Sequence, residues 1–236
     1  MILSKIISLL FPNKCLNCFK YTNNNYLLCD NCYGALNIHT NFFCPNCNLK
    51  INSLNQKHNC NFNTYNFNLV IYCMDYKNNI VKNLIHKFKY QKISCIKPTI
   101  KQILSTSLSK HQSYFKHNKY IVVPVPLHKY KQRSRGFNQS EIISNLISQI
   151  LNIKTYNNIL IRFKNNPPQA NQTNALKRQE NAKNIFKINE NQKHLIKNKN
   201  IILVDDVFTT GSTLNECAKI LKQNNANNII VICLAK

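Results

Sequence analysis

Only 8 Asp and Glu stand against 32 Lys and Arg in this 236-residue chain, and two of the eight, Asp205 and Asp206, are adjacent at the end of an apolar run in IILVDDVFTTGST, residues 201–213. Neighbouring carboxylates repel each other, so a side-by-side pair points to something that needs both. The loop beyond them, Thr209, Thr210, Gly211, Ser212 and Thr213, offers hydroxyl donors and one of only three glycines in the chain. A loop entering a helix presents free backbone N–H groups to an anion, and Gly211 allows close approach or a positive φ. Two carboxylates upstream of such a phosphate cradle suit the adjacent hydroxyls of a ribose whose 5′-phosphate fills the loop. They also favour Mg2+ nearby, because hard cations take oxygen ligands. Helix capping is the plainer alternative, but one Asp would suffice and neither lies at the cap.

A second candidate anion site is RSRGFNQ, residues 133–139. Arg133 and Arg135 carry planar donor forks for phosphate or pyrophosphate, and Gly136 relieves the turn. A solvated loop is the competing reading, and it weighs more on Arg133 than on Arg135. His128 is the one histidine close to this stretch; the others have no ligand-like spacing.

Metal chemistry is concentrated at the other end. Cys15 and Cys18, then Cys29 and Cys32, form two C-x-x-C knuckles, which complete a tetrahedral Zn2+ site. Cys44 and Cys47 form a third, followed by His58 and Cys60. Two alternatives stand for this group: a second zinc site of Cys44, Cys47, Cys60 and His58, or a degenerate one. Cys73, Cys217 and Cys233 lie in apolar contexts and read as core. Reduced thiols and metal ligands, in an odd total of 11 cysteines, fit a cytoplasmic protein better than a disulfide framework does.

These groups need elements to hold them. Residues 1–66 carry seven cysteines and too few aliphatics for a core of their own, so they read as a zinc-ribbon module, opened by a short amphipathic helix over residues 2–10. Residues 67–236 alternate strand and helix. NLVIYCMDY and KYIVVPVPL read as strands, and NIILVDD and NIIVICLA as strands buried on both faces. Ile80, Leu84, Ile85 and Phe88, then Ile142 to Ile150, then Leu214 to Leu221, recur at helical spacing. The expectation is α/β, a doubly wound parallel sheet, in which ligands sit beyond the carboxyl ends of the strands. No apolar stretch approaches the ~20 residues of a membrane-spanning helix.

The pattern of four apolar residues, two acids and TTGST resembles the phosphoribosyl pyrophosphate (PRPP) motif of type I phosphoribosyltransferases. That resemblance implies Asp205 and Asp206 on the ribose hydroxyls and residues 209–213 around the 5′-phosphate. VPVPLHKYKQRSRGFNQSE and QANQTNALKRQENAKNIF, with the paired cysteines, are similar to the ComF family over essentially the whole chain. Gln169, Arg178, Asn181 and Phe186 belong to that similarity, and the polar segment 165–183 resembles the loop that closes over PRPP, a disordered loop being the alternative. The departure is the incomplete fourth cysteine pair.

The ComF resemblance implies a part in natural transformation, with single-stranded DNA as a partner and a competence helicase as a further one. A net charge of +24 suits DNA, although the Asn, Lys and Ile bias of AT-rich coding sequence also raises lysine. Tyr21, Tyr26, Phe42 and Phe43 are candidates to stack bases, or to pack around a knuckle. The competing readings are an active phosphoribosyltransferase with an unknown acceptor and a non-catalytic scaffold.

Overall fold

The computed structural model describes residues 13–22, 26–52, 60, 64–90, 93–164 and 184–236. The helix expected over residues 2–10, His58, and the segment 165–183 with Gln169, Arg178 and Asn181 lie outside the described residues.

Where cysteines are dense the elements are short: β1 (Asn13–Lys14), β2 (Tyr21–Thr22), α1 (Asp30–Gly34), β3 (Phe42–Phe43) and β4 (Lys50–Ile51). After these come β5 (Leu69–Met74), α2 (Asn79–Tyr90), α3 (Ile93–Leu108), α4 (Gln112–His117), β6 (Tyr120–Pro124), α5 (Lys129–Arg135), α6 (Gln139–Leu151), β7 (Leu160–Arg162) and β8 (Phe186–Ile188). A 3-10 turn at Glu190–Leu195, then β9 (Asn200–Val207), α7 (Ser212–Gln223) and β10 (Ile229–Ala235) complete the order.

The central sheet runs β4-β3-β5-β10-β9-β6. Its last four strands are parallel, as their unbroken apolar runs predict, so their carboxyl ends share one edge of the molecule. Period-two alternation then sorts the side chains. Ile202 and Val204 of β9 face the layer of α2, α3 and α6, whereas Ile201 and Leu203 face α7 and the β7–β8 hairpin. Cys73, Cys217 and Cys233 are fully buried in these cores, as their apolar contexts suggest.

Two features depart from the sequence reading. The sheet is mixed: β3 pairs antiparallel with both β4 and β5, so the hairpin that carries Cys44 and Cys47 extends its edge. Two-residue strands have no periodicity to reveal them. Helix α3 was also not legible, because Pro98 sits inside it and proline reads as a helix stop. Its buried residues Ile96, Ile100, Ile103 and Leu104 nevertheless follow helical spacing.

Helix α3 docks the cysteine-rich part through small polar side chains. Thr99 Oγ1 accepts from Leu27 N at 2.9 Å, Tyr33 Oη and Thr106 Oγ1 lie 2.9 Å apart, and Ser107 Oγ donates to His39 O at 2.7 Å. Phe42 and Phe43 are buried here, which removes them as base-stacking candidates; Tyr21 remains exposed. Among the described residues, no helix is long and apolar enough to cross a membrane.

Candidate functional site

Strand β9 stays paired with β10 as far as Val207, and the carboxylate pair occupies the two positions before that last residue. Asp205 Oδ1 accepts from Ser140 Oγ at 3.0 Å and from Asp206 N at 2.9 Å. Asp206 Oδ2 pairs with Lys89 Nζ at 3.0 Å. Burial, reinforced by the Asp206 charge, raises the Asp205 carboxyl from its ordinary range to about 7; the hydrogen bonds and Lys89 only partly oppose this. A raised pKa of this kind eases the repulsion within the pair.

The hydroxyl loop follows directly. Gly211 is the N-cap of α7 with φ of 69°, and a Cβ there would stand 2.8 Å from the Tyr65 ring and 2.9 Å from the Phe208 ring. Thr210 Oγ1 and Ser212 Oγ lie 2.7 Å apart, and Thr209 is exposed. Gly211→Ala therefore combines a left-handed backbone with overpacking, and is expected to cost about 2–4 kcal/mol in denaturant unfolding. A change below about 0.5 kcal/mol would contradict this geometry.

A cleft of about 160 Å³ opens at this end of the sheet, and its lining combines Asp205, Asp206 and Thr213 with Lys89, Lys131, Arg135, Gln139 and Arg162. Asn138 caps α6 through Ser140 N at 3.1 Å and holds Val125 O at 3.1 Å, which sets the wall after β6. Gly136 ends α5 in the left-handed region, with φ of 80°. Arg135 reaches the cleft, donates from Nη1 to Gln139 Oε1 at 3.2 Å and lies 5.5 Å from the Tyr90 ring. Arg133 is exposed and does not line the cleft, and His128 caps α5 by accepting from Tyr130 N at 3.2 Å.

The sequence offered Gln139 only as the last residue of the stretch 133–139, and it did not reveal Lys89, Lys131, Ser140 and Arg162 as site residues. Two side chains of the cleft are the most telling. Arg162 Nε and Gln139 Nε2 are buried and without a hydrogen-bond partner among the described residues, and both residues line this cleft. Arg135 fixes the Gln139 amide by donating to its oxygen, which leaves the NH2 group as the unused donor. Burial lowers the pKa of Arg162 and of Lys131, and for Lys131 the neighbouring Arg162, Arg135 and Lys89 charges add to the effect. A buried unpaired donor costs about 1–3 kcal/mol, so two in one cationic cleft point to an anionic ligand.

The cysteines assemble as two clusters. The Sγ atoms of Cys15, Cys18, Cys29 and Cys32 all lie within 4.8 Å of one another, and so do those of Cys44, Cys47 and Cys60. Four sulfurs at ~2.3 Å from Zn2+ stand about 3.8 Å apart; Cys18 and Cys29 are 3.6 Å apart and Cys44 and Cys60 3.8 Å. Both donor sets fit zinc, the first with four thiolates and the second with three. Zinc bound to thiolates contributes folding free energy, so substituting Cys29 by Ser is expected to remove about one zinc equivalent and expose residues 13–52 to protease. Unchanged zinc content by elemental analysis would exclude Cys29 as a ligand.

Residues 6–62 match the double zinc ribbon domain family, and residues 138–236 match the phosphoribosyl transferase domain family. Competence protein F of Haemophilus influenzae is 36% identical over 155 residues, covering 65% of this chain and 66% of that one. DNA utilization protein YhgH of Escherichia coli O157:H7 is 29% identical over 154 residues, with 65% and 66% covered. Competence protein ComFC of Bacillus subtilis is 28% identical over 144 residues, with 61% and 54% covered. The chain thus aligns with just under two thirds, or less, of these relatives' lengths. Its α/β domain is of the phosphoribosyltransferase type, a zinc ribbon precedes it, and with those relatives this combination settles the membership: the chain belongs to the ComF family.

Proposed function

We propose that this chain acts in DNA uptake by transformation as a cytoplasmic ComF-like protein whose cleft binds PRPP, or a related ribose 5-phosphate, with Mg2+. The observation that carries the reading is the carboxylate pair near the end of β9, followed by a hydroxyl loop whose Thr213 joins the two carboxylates in lining a cationic cleft. Asp205 and Asp206 accept from the two ribose hydroxyls, and the N–H and hydroxyl groups of Thr209, Thr210, Gly211, Ser212 and Thr213 receive the 5′-phosphate. Asp205 and Asp206 are the residues that would hold Mg2+, which would neutralise charge on the diphosphate, and Lys131, Arg135, Gln139 and Arg162 would face the diphosphate itself. The names of the relatives, competence and DNA utilization proteins, support the process.

Exposed aromatics beside the cleft support single-stranded DNA as the partner. Tyr90, Tyr130 and Phe163 are 64%, 70% and 45% exposed, and each adjoins in sequence a residue of the cleft lining: Lys89, Lys131 or Arg162. Lys164 and Lys187 lie 5.7 Å and 5.8 Å from the Phe163 ring. Stacking is worth roughly 1–3 kcal/mol per base and is lost in a duplex. In fluorescence anisotropy at ~0.15 M salt, where the Debye length is about 8 Å, single-stranded oligonucleotides are expected to bind at least 10-fold more tightly than matched duplexes. Equal affinity for both forms would reduce the interaction to unspecific charge. Pyrophosphate release from PRPP with and without added acceptors separates a binding protein from an active transferase.

A further inference from the structure

The hydroxyl loop is not held by its own domain alone. Tyr65 Oη donates to Thr210 O at 3.1 Å, and the Tyr65 ring fills the space that a side chain at Gly211 would need. Asn66 donates from its backbone N at 2.7 Å and from Nδ2 at 3.0 Å to Asn215 Oδ1, and Asn215 Nδ2 donates to Thr64 O at 3.3 Å. Asn215 N in turn makes the first bond of α7, to Gly211 O at 2.7 Å. Residues 64–66 therefore clamp both the loop and the helix start.

The other side of this clamp is the second cysteine knuckle. Thr64 N donates to the side-chain Oδ1 of Asn46, which sits between Cys44 and Cys47, at 3.2 Å. A separate connection leaves the same knuckle: Asn48 Oδ1 accepts from Lys236 Nζ at 2.6 Å, and that ammonium lies 5.1 Å from the Phe208 ring, which packs against Gly211. Two contact paths thus join Cys44 and Cys47 to the loop.

We propose that Tyr65, Asn66 and Asn46 are positioning residues that couple metal binding at Cys44, Cys47 and Cys60 to the affinity of the hydroxyl loop for a phosphate-bearing sugar. The inference rests on the reading of that loop as a phosphate site. Bound Zn2+ fixes the knuckle backbone, and with it Asn46 and Asn48. Those side chains hold Thr64 and Lys236, and these hold the loop in its binding geometry before ligand arrives. Preorganisation of this kind raises affinity by removing an ordering cost. Linkage makes the effect reciprocal, so the sugar phosphate must tighten zinc by the same factor, with 5- to 150-fold the typical range.

Ribose 5-phosphate is the probe, titrated calorimetrically into the full-length chain. The zinc-loaded wild type is expected to bind it, and Cys47→Ser, depleted of zinc at the second knuckle with the first still loaded, to bind it about 5- to 100-fold more weakly. Because Cys47→Ser perturbs its own module, Asn215→Ala provides the second arm: it keeps every cysteine and full zinc content, yet weakens ribose 5-phosphate. Competition with a chromophoric chelator supplies a readout independent of the sugar site. Saturating ribose 5-phosphate should slow zinc loss from the wild type and tighten the second zinc, and should do both to a smaller extent in Asn215→Ala. Equal ribose 5-phosphate affinity in the wild type, Cys47→Ser and Asn215→Ala overturns the coupling while leaving the phosphate site standing. Failure of the zinc-loaded wild type to bind ribose 5-phosphate overturns the phosphate site and the coupling with it.

Discussion

A chain carrying Arg162→Ala is expected to bind PRPP with Mg2+ about 30- to 1000-fold more weakly than the wild type, yet to unfold at the same denaturant concentration or a slightly higher one. Truncating one side of a buried charged contact costs about 2–4 kcal/mol of binding, and each 1.4 kcal/mol is tenfold. Without ligand the same guanidinium is a burden, because its Nε is buried and unpartnered and burial lowers its pKa. Cys217 and Asp205 oppose that lowering in part, and the Phe186 ring at 5.6 Å adds roughly 0.5–1 kcal/mol. Calorimetry and urea unfolding on the same preparation separate the two. Unchanged affinity would remove Arg162 from the site, and an equal loss of affinity and stability would make it structural.

The second large effect is pH-dependent. Burial beside Asp206 raises the Asp205 carboxyl to about 7, above the ordinary value near 4 that it regains on unfolding. Between those values the folded state holds the proton that the unfolded state releases, so stability falls as pH rises through this window. Asp205→Asn removes the penalty. It is expected to raise the melting temperature by several degrees at pH 8 and by almost nothing at pH 4, since about 2–4 °C accompany each kcal/mol in a chain of this size. The same substitution should weaken PRPP at both ends of the range. A stabilisation that does not grow with pH would mean that Asp205 titrates normally.

The parts of this site that were readable in the sequence are those made by local order. The unit β9, α7 and β10 could be read because IILV and IIVICLA are continuous apolar runs around one helical stripe, and it fixes where Asp205, Asp206 and the hydroxyl loop must stand. The cysteine clusters were readable because each knuckle is a four-residue turn. The rest is assembled across the chain. Ser140 meets Asp205 over a separation of 65 residues, Lys89 comes from α2, and Arg162 lies on a three-residue strand. None of these carries a local signature. Arg135 was identified from its place beside Gly136, and its bond to Gln139 spans only four residues, but its stacking on Tyr90 brings in the end of α2 from 45 positions earlier. The clamp at residues 64–66 joins the loop to residues about 150 positions earlier, a separation of 149 for Asn66 and Asn215.

The most direct measurement is a calorimetric titration of the zinc-loaded, full-length chain with PRPP in the presence of Mg2+, run beside Asp205→Asn/Asp206→Asn. The ribose hydroxyls and Mg2+ need carboxylate acceptors, whereas the free protein is eased by losing two adjacent charges. The expected result is one site per wild-type chain and, in the double variant, affinity lower by at least 100-fold with the melting temperature unchanged or raised. Binding of equal strength in both proteins, or no binding to the wild type, would contradict the assignment of this cleft to a phosphorylated ribose.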